Sequence, residues 1–230
     1  MRTPRRSTAP LAFVVTAGPT REFIDPVRFL SNPSTGRMGF EVARAAASRG
    51  HRVALVAGPV ALKTPKGVAR VDVVSARDML AAVLARLDDL GRGPARIVFV
   101  ATAAVADWRP AECAAVKLKK GAMRPVLKLV RNPDILKTVA ERRAAEGAAP
   151  LLVGFAAETG DPVAEALRKC REKNLAMVVA NDVTEPGAGF GTPTNRAALV
   201  RRDGSVRRLP LMSKAALARR IVRECEDLCS

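Results

Sequence analysis

Residues 13–39, FVVTAGPTREFIDPVRFLSNPSTGRMG, organise the rest of this chain. An apolar run ends in the turn Ala17-Gly18-Pro19, and a long polar loop then leads into an alanine-rich segment from Phe40. Open α/β sheets bind ligands where a strand feeds the start of a helix, because the first N–H groups of that helix are free and its dipole favours anions. Ordinary connections of this kind have about 2–6 residues. The much greater length of this loop favours a ligand site over a plain connection.

The end of this loop carries the groups that an anion site needs. Gly36 and Gly39 allow the backbone to approach a phosphate. Ser34 and Thr35 are expected to cap the helix and to add hydroxyl donors. Earlier in the loop, Arg28 and Asn32 supply a cation and an amide. The sequence therefore predicts an anion site at the start of the first helix, although a plain connection remains the alternative.

The length and composition are those of a folded chain. It has 230 residues, of which 48% are hydrophobic, enough for one large domain or two small ones. Because no internal repeat or linker is evident, we expect a disordered basic tail over residues 1–10 and a single domain over 11–230. The apolar stretch at 11–15 is too short for a signal peptide, and no run approaches a membrane span. A cytoplasmic protein without membrane contact is expected.

The net charge of +17 predicts attraction to anions of some kind, whether nucleic acid, phosphorylated metabolites or acidic surfaces. Aromatic residues make up only 3% of the chain and Tyr is absent, which argues against a platform that stacks bases. The arginines are also scattered instead of forming one basic block. Nucleic acid is therefore not expected as the main partner.

The cysteines and the single histidine do not predict a metal site. The four cysteines contain no CxxC pair, and His51 has no ligand partner nearby. Cys225 and Cys229 lie one helical turn apart, a spacing that can bind metal but more often reflects two small helix residues. Free thiols in a reducing compartment are the simpler interpretation.

Strands alternate with helices along the chain. Short apolar runs predict strands at 53–57, 71–74, 97–101, 151–156 and 177–180, and helical periodicity is found at 40–48, 76–90, 163–173 and after 214. This alternation indicates an α/β protein with a Rossmann-like, doubly wound, mainly parallel sheet. A hairpin of residues 198–200 and 206–209 is expected around Asp203-Gly204.

Two segments depart from this alternation. The run KLKK at 117–120 and the alternating residues 126–130 predict a two-stranded flap. Its lysines are either a solvated edge that discourages strand pairing or a mobile cationic flap that closes over an anion. Further along, Asn132-Pro133-Asp134 predicts a helix start with the asparagine as N-cap.

Polar side chains also follow other strands. Asp107 lies beside Trp108 after the strand at 97–101, where it is either a turn residue or part of a site. Lys169 and Lys173 stack one helical turn apart, and their spacing fits both a triphosphate clamp and a solvated surface.

Several common enzyme classes are excluded by missing motifs. The chain has no GxxxxGK[ST], so it is not a Walker-type kinase or NTPase. No GxGxxG follows the first strand, and without tyrosine there is no Tyr/Lys pair for a short-chain oxidoreductase. The GxSxG elbow of hydrolases is also missing.

Seven motifs remain, and they span nearly the whole chain after residue 12. They are TAGPTREFIDPVRFLSNPSTGRMG (16–39), AAVADWRP (103–110), KLKK (117–120), NPDIL (132–136), VGFAAET (153–159), VANDV (179–183) and FGTPTN (190–195). Together and in this order they resemble the phosphopantothenate–cysteine ligases (phosphopantothenoylcysteine synthetases) of coenzyme A biosynthesis, in their bacterial CTP-using form.

The resemblance implies a Rossmann-like homodimer whose flap reaches the active site. CTP would activate the carboxylate of 4′-phosphopantothenate as an acyl-cytidylate with release of pyrophosphate. The amine of L-cysteine would then displace CMP to form 4′-phosphopantothenoylcysteine. Mg²⁺ is expected together with CTP, because the first step brings anions together. No separate protein metal site is predicted.

The resemblance also implies residue roles. Asn32 is similar to the amide that stabilises the acyl-cytidylate and supports its aminolysis, and Lys117 to the flap lysine that neutralises charge during cytidylyl transfer. Thr35 stands where the family often has Ser, which keeps the hydroxyl. The expected CTP site is Ala101, Thr102, Ala103, Asp107, Lys117, Pro133, Asp134, Ile135, Leu136, Phe155, Lys169 and Lys173. The expected phosphopantothenate site is Arg28, Asn32, Ser34, Thr35, Gly36, Ala103, Ala104 and Asp107.

One departure concerns domain content. The more common family arrangement has a flavin-binding decarboxylase ahead of this domain, whereas here about a dozen residues precede the first strand. We therefore expect a stand-alone ligase without flavin, with a separate phosphopantothenoylcysteine decarboxylase acting next. The alternative is a non-catalytic Rossmann-like nucleotide-binding module with nucleic-acid affinity.

Overall fold

A computed structural model of the protein describes residues 9–93, 95–119, 121, 126–145 and 150–230. Most of the predicted basic tail and Lys120 of the predicted flap lie outside the described residues. The elements in chain order are β1 (Ala12–Ala17), β2 (Arg21–Phe23), β3 (Phe29–Ser31), α1 (Arg37–Ser48), β4 (Arg52–Ala57), β5 (Ala69–Asp72), α2 (Ala76–Gly91), β6 (Ile97–Ala101), β7 (Trp108–Pro110), β8 (Leu129–Arg131), α3 (Ile135–Ala145), β9 (Leu151–Glu158), α4 (Val163–Glu172), β10 (Met177–Asp182), β11 (Thr194–Asn195), β12 (Ala198–Arg201), β13 (Val206–Arg208), β14 (Met212–Ser213) and α5 (Lys214–Cys229).

The main sheet has eight strands in the order β13-β12-β10-β9-β6-β1-β4-β5. The six strands from β10 to β5 are parallel, and β12 and β13 continue the sheet in antiparallel fashion beside β10. The parallel part has the strand order of a Rossmann fold, with its topological switch point between β1 and β6. This confirms the predicted fold class, including the hairpin of β12 and β13.

Helices cover both faces of the sheet. The core on one face includes Phe40 of α1 and Ile221 of α5, which pack against β1, β4 and their neighbours. The core on the other face includes Met79 of α2, Val139 of α3 and Cys170 of α4. All six residues of β1 are buried, as expected for a central parallel strand covered on both faces.

The predicted flap pairing is wrong. β8 pairs with β7 and not with residues 117–119, which form no strand. The guanidinium of Arg131 stacks on the ring of Trp108, 5.4 Å from its centroid, and ties β8 to β7. Because Trp108 and Arg131 are far apart in sequence, the alternation at 126–130 could not reveal this pairing.

The chain also forms a hairpin that the sequence analysis missed. β2 and β3 pair within the long loop that follows β1. The two-stranded pair of β11 and β14 was likewise not predicted, and it closes the loop that precedes β12.

Candidate active site

A cleft of about 700 Å³ lies at the carboxyl ends of β6 and β9, next to the switch point of the sheet. Parallel sheets bind ligands at this edge because their strand-to-helix loops converge there. The residues that line the cleft are Thr16, Asn32, Pro33, Ala101, Ala103, Ala104, Val105, Ala106, Asp107, Trp108, Arg131, Asn132, Pro133, Asp134, Ile135, Leu136, Phe155, Ala157, Lys173 and Phe190.

A smaller cavity of about 130 Å³ lies at the start of α1. It shares five residues with the cleft, so that the two spaces adjoin: Ala103, Ala104, Phe155, Ala157 and Phe190. Its other lining residues are Ser34, Thr35, Gly36, Arg37, Met38, Gly39, Thr102, Asn181, Val183, Gly189, Asn195 and Lys214. No carboxylate is among them.

The start of α1 differs from the prediction. Gly36 is the N-cap with φ 76°, in the left-handed region that favours glycine, and no side chain caps the helix. Ser34 instead accepts a hydrogen bond from the Gly36 N–H at 3.3 Å, and the expected capping by Ser34 or Thr35 is therefore wrong. Among the described residues, nothing accepts a hydrogen bond from the N–H groups of Arg37 to Gly39. The N-terminus of α1 thus offers free donors to the cavity.

The amide of Asn32 is oriented by the loop after β6. Its Nδ2 donates to the carbonyl oxygens of Ala104 at 3.2 Å and Val105 at 3.1 Å. The opposite side of the amide, Oδ1, makes no hydrogen bond to any part of the chain that the structure describes. Asn32 therefore lines the cleft with an acceptor atom available.

Lys173 lines the cleft, whereas Lys169 does not. The Nζ atom of Lys173 lies 2.5 Å from Oδ2 of Asp134, which also lines the cleft. Burial opposes ionisation of Asp134, but hydrogen bonds from Lys173 and from the Lys137 N–H, with the charges of both lysines, outweigh it and hold the pKa of this carboxyl below its usual value. Lys169 forms ion pairs with Glu158 at 2.6 Å and Glu165 at 3.5 Å. The two lysines therefore do not form a simple pair of free cations.

Arg28 and Lys117 also lie outside the lining of both spaces. Arg28 forms an ion pair with the fully buried Asp25 and donates to the carbonyl oxygen of Leu118 at 2.8 Å. The hydrogen bonds from the Arg28 side chain, with those from backbone N–H groups, hold the pKa of Asp25 well below its usual range despite burial. Lys117 is exposed. Its neighbour Leu118 is fixed to this ion pair, because its N–H donates to Asp25 and its carbonyl oxygen accepts from Arg28.

Asn132 has a different role from the one predicted. Its Nδ2 donates to the Ala106 carbonyl at 2.8 Å and its backbone N–H donates to the Asp107 carbonyl at 2.8 Å, so that it fixes the loop that carries Asp107. Asp134 caps α3 instead, because its Oδ1 accepts from the Lys137 N–H at 3.0 Å. The expected N-cap was therefore two residues too early.

The structure thus divides the predicted site residues into three groups. The cleft contains Asn32, Ala101, Ala103, Ala104, Asp107, Pro133, Asp134, Ile135, Leu136, Phe155 and Lys173. The small cavity adds Ser34, Thr35, Gly36 and Thr102. Neither space is lined by Arg28, Lys117 or Lys169.

Three buried polar residues of the small cavity are not among the predicted site residues, although two of them lie in the motifs VANDV and FGTPTN: Asn181, Asn195 and Lys214. Asn195 is 5% exposed, and its Oδ1 accepts a hydrogen bond from the Gly189 N–H at 3.3 Å. Asn181 is 7% exposed and Lys214 is 6% exposed. One signal was present in the sequence. Lys214 begins a helix, where the helix dipole disfavours a cation. A lysine at this position therefore indicates a role other than stabilising the helix.

The remaining His, Cys, Asp and Glu side chains of the described residues form no cluster of three or more suited to a metal ion. All four cysteines are free thiols, and burial raises the pKa of Cys170, Cys225 and Cys229. No helix in the described part of the chain has the length and hydrophobicity of a membrane span.

Comparisons with known proteins agree with this fold. The chain is 46% identical over 216 residues to the coenzyme A biosynthesis bifunctional protein CoaBC of Bacillus subtilis, and 45% identical over 217 residues to that of Escherichia coli K12. These matches cover 94% and 93% of this chain but 51% of each relative, so the chain spans about half their length. A crystal structure of the C-terminal domain of a CoaBC protein is 41% identical, with a TM-score of 0.78 and 95% of both chains covered.

A family model also matches residues 9–228, almost the whole chain, and is described as the DNA/pantothenate metabolism flavoprotein C-terminal domain. Because this match and the identities above extend over the elements that build the cleft, the chain belongs to that family of C-terminal domains.

Proposed function

We propose that this chain is a phosphopantothenate–cysteine ligase of coenzyme A biosynthesis, which joins 4′-phosphopantothenate to L-cysteine through an acyl-cytidylate made from CTP. The relatives that it matches are named as bifunctional proteins of coenzyme A biosynthesis, and this chain corresponds to about half of their length.

One observation carries the proposal: a large cleft and a small cavity adjoin at Ala103 and Ala104. The cleft has the volume of a site for a nucleotide-sized ligand. The small cavity has room for little more than a phosphate group, and free N–H groups of α1 line it. A phosphorylated acid bound from the cavity would place its carboxylate in the cleft beside the nucleotide.

The walls of the cleft fit the parts of a nucleotide. Ile135, Leu136 and Phe155 provide an apolar region for the base, and Lys173 provides a cation for the phosphates. When a triphosphate binds, Lys173 must then either contact it together with Asp134 or leave Asp134 for it.

In the first step, a carboxylate oxygen of the acid forms a bond to the α-phosphorus of CTP, and the bond from that phosphorus to the β-phosphate oxygen breaks. Pyrophosphate leaves. Because both reactants are anions, cations must be aimed at the charge that develops. Lys117 is proposed to supply one of them, carried by the segment that Leu118 anchors to Asp25 and Arg28.

In the second step, the amine of cysteine attacks the acyl carbon and the bond to the CMP oxygen breaks. The attacking nitrogen becomes positive, and its proton passes to water or to a phosphate oxygen of the departing CMP. Asn32 Oδ1 is the acceptor that the loop after β6 leaves available, so it can accept a hydrogen bond from this nitrogen. This geometry supports a role for Asn32 in aminolysis.

The residues of the cleft fit a Mg²⁺ ion that arrives with the nucleotide. Mg²⁺ is commonly held by one or two carboxylates together with substrate phosphates, and does not require a full protein cage. Asp107 is the carboxylate of the cleft that could contribute, since Asp134 is paired with Lys173. When bound, Mg²⁺ would neutralise part of the phosphate charge.

A homodimer is proposed as the assembly. Exposed apolar side chains cluster on the hairpins of β2–β3 and β7–β8, which contact each other, and they include Phe23, Val27, Phe29, Leu129 and Val130. Such a patch is typical of an interaction surface. The absence of flavin, the separate decarboxylase and the cytoplasmic location remain predictions.

The decisive experiment measures pyrophosphate release by the purified protein. Release is expected only when CTP, 4′-phosphopantothenate and Mg²⁺ are all present, and amide product is expected only when cysteine is added. Competition between CTP and ATP in the same assay determines the nucleotide. Binding to nucleic acid without any pyrophosphate release would favour the non-catalytic alternative and refute the proposal.

Two variants separate the steps. Lys117→Ala is expected to abolish pyrophosphate release, because the charge of the first transition state is no longer neutralised. Asn32→Ala is expected to leave pyrophosphate release intact while it blocks amide formation. Equal loss of both steps in Asn32→Ala would show that this assignment of roles is wrong.

A further inference from the structure

The small cavity contains a buried cation that no carboxylate of the described residues neutralises. Lys214 is 6% exposed and lines the cavity, and its Nζ atom donates to the Gly189 carbonyl oxygen at 2.9 Å. This is the one hydrogen bond that its ammonium group makes with the described residues, although the group has three donors. Burial, and then the charge of Arg37, lower the pKa of Lys214.

The position of Lys214 is costly for stability. It is the first residue of α5, where the helix dipole disfavours a positive charge. Burial of a charge without a counter-ion is also unfavourable. A hydrogen bond to one backbone carbonyl does not require an ammonium group, because a neutral donor would serve as well. The arrangement is therefore best explained by an anion that enters the cavity.

A second buried polar group lines the same cavity. Asn181 at the end of β10 is 7% exposed, and its side-chain amide makes no hydrogen bond within the described ranges. Buried amides are nearly always hydrogen-bonded, so an unpaired one in a cavity wall indicates a missing partner. Its NH₂ group can donate to the same anion as Lys214.

From these observations we propose that Lys214, together with Asn181, holds the phosphate of the phosphorylated acid substrate against the N-terminus of α1. This inference rests on the proposed function for the identity of the substrate. The groups come from three distant segments, and they surround a space whose lining offers cations, amides, hydroxyls and free N–H groups. A phosphate monoester, with nearly two negative charges near neutral pH, matches this set of donors.

The size of the cavity decides which substrate supplies the phosphate. About 130 Å³ is well below the volume of sites for drug-sized ligands, whereas the adjoining cleft is large enough for a nucleotide. Lys214 therefore acts as a specificity-determining residue for the phosphate of the acid, and it should distinguish 4′-phosphopantothenate from pantothenate.

The test compares Lys214→Met with the wild type in steady-state kinetics. The KM for 4′-phosphopantothenate should rise about 10- to 100-fold, as expected for loss of a charged hydrogen bond. The KM for CTP should change less than about twofold, since the nucleotide lies in the cleft. The preference for 4′-phosphopantothenate over pantothenate should fall by the same factor as the affinity. Lys66→Met removes one exposed lysine and controls for net charge.

A readout without catalysis separates the failure of this inference from failure of the proposed function. Inorganic phosphate should raise the melting temperature of the wild type and of Lys66→Met, but not that of Lys214→Met. Without ligand, Lys214→Met should be at least as stable as the wild type, because an uncompensated buried charge has been removed. If Lys214 merely held the loop at Gly189, Lys214→Met would be less stable.

Lys214→Gln keeps a donor for the Gly189 carbonyl and lacks the charge, so it should show the same loss of phosphate affinity as Lys214→Met. Wild-type affinity in either variant would overturn the inference, and so would a rise in the KM for CTP alone. A wild-type protein that binds inorganic phosphate through Lys214 but releases no pyrophosphate with any substrate would refute the proposed function and leave the phosphate site standing.

Discussion

Substitution of Gly39 by alanine tests how α1 is positioned over the site. Gly39 lies in the first turn of α1, where the helix crosses the end of β1. A Cβ atom at this position would lie 2.6 Å from Ala17 Cβ and 2.8 Å from the Thr16 carbonyl oxygen, and closer still to Thr102 Oγ1. Two of these neighbours belong to the central strand of the sheet and cannot move aside, so the helix must shift instead.

The structure gives the size of this effect. Contacts of 3.4 Å would require a shift of about 0.6 Å from the Thr16 oxygen and about 0.8 Å from Ala17 Cβ. Overpacking of a core costs about 1–3 kcal/mol, and the rigid strand places Gly39→Ala at the upper end. Alanine recovers about 1 kcal/mol through its better helix propensity. We therefore expect a loss of about 2 kcal/mol, which lowers the melting temperature by about 4–8 °C.

Thermal and urea unfolding measure the loss of stability, with Gly121→Ala as the control. An added Cβ at Gly121 meets nothing within 4 Å, so Gly121→Ala should stay within about 0.5 kcal/mol of the wild type. The displaced N–H groups of α1 should also raise the KM for 4′-phosphopantothenate about fivefold, the equivalent of one weakened hydrogen bond. Gly39→Ala with wild-type stability and wild-type KM would refute this account of close packing.

Two further substitutions test the ion pairs. Lys173→Met should raise the pKa of Asp134 toward the ordinary value in an NMR titration, since Lys173 supplies its side-chain hydrogen bond and nearby charge, whereas Lys169→Met should leave it unchanged because Lys169 pairs with other carboxylates. Glu226 is buried, which opposes its ionisation, but hydrogen bonds from an arginine and a histidine outweigh burial and lower its pKa below 4.5. Glu226→Gln should therefore cost about 1.5–3 kcal/mol at pH 7. In urea unfolding the difference from the wild type should shrink as the pH falls below 4.5 through the lower folded pKa, since a depressed carboxyl pKa stabilises the fold only where the carboxyl is ionised. The exposed Glu172→Gln should cost less than about 1 kcal/mol at any pH, and an equal cost for both variants would contradict the argument.

Some of the arginines hold distant elements of the fold together. They form ion pairs with carboxylates of other elements, such as Arg201 and Arg207 with the buried Glu224. These pairs join β12 and β13 to α5. Such cations stabilise the contact between elements and are not a free basic surface.

The fold class could be predicted from sequence because it depends on local patterns. Short apolar runs that alternate with helical periodicity specify parallel strands and crossover helices without knowledge of distant contacts. The position of the site followed from the same patterns, since polar residues at the ends of parallel strands must meet at one edge. Asp107 was singled out in this manner, Asn32 as an amide of the long loop, and Phe155 through the family resemblance alone; all three line the cleft.

Side-chain direction and pairing between distant segments could not be predicted. Lys169 and Lys173 are equivalent in sequence, but one is held by Glu158 and Glu165 and the other faces the cleft beside Asp134. The pairing of β8 with β7 depends on a contact across more than twenty residues.

The sequence by itself determined a Rossmann-like sheet with polar residues gathered at its carboxyl edge, because hydrophobic period and strand-end chemistry are local properties. Only the tertiary structure decided which residues from distant segments line the cavity at this edge. Asn181 and Lys214 reach the N-terminus of α1 because β10 lies in the same sheet as β1 and because α5 packs against α1. Such placement is set by packing between segments that are far apart in the chain, and no local pattern encodes it.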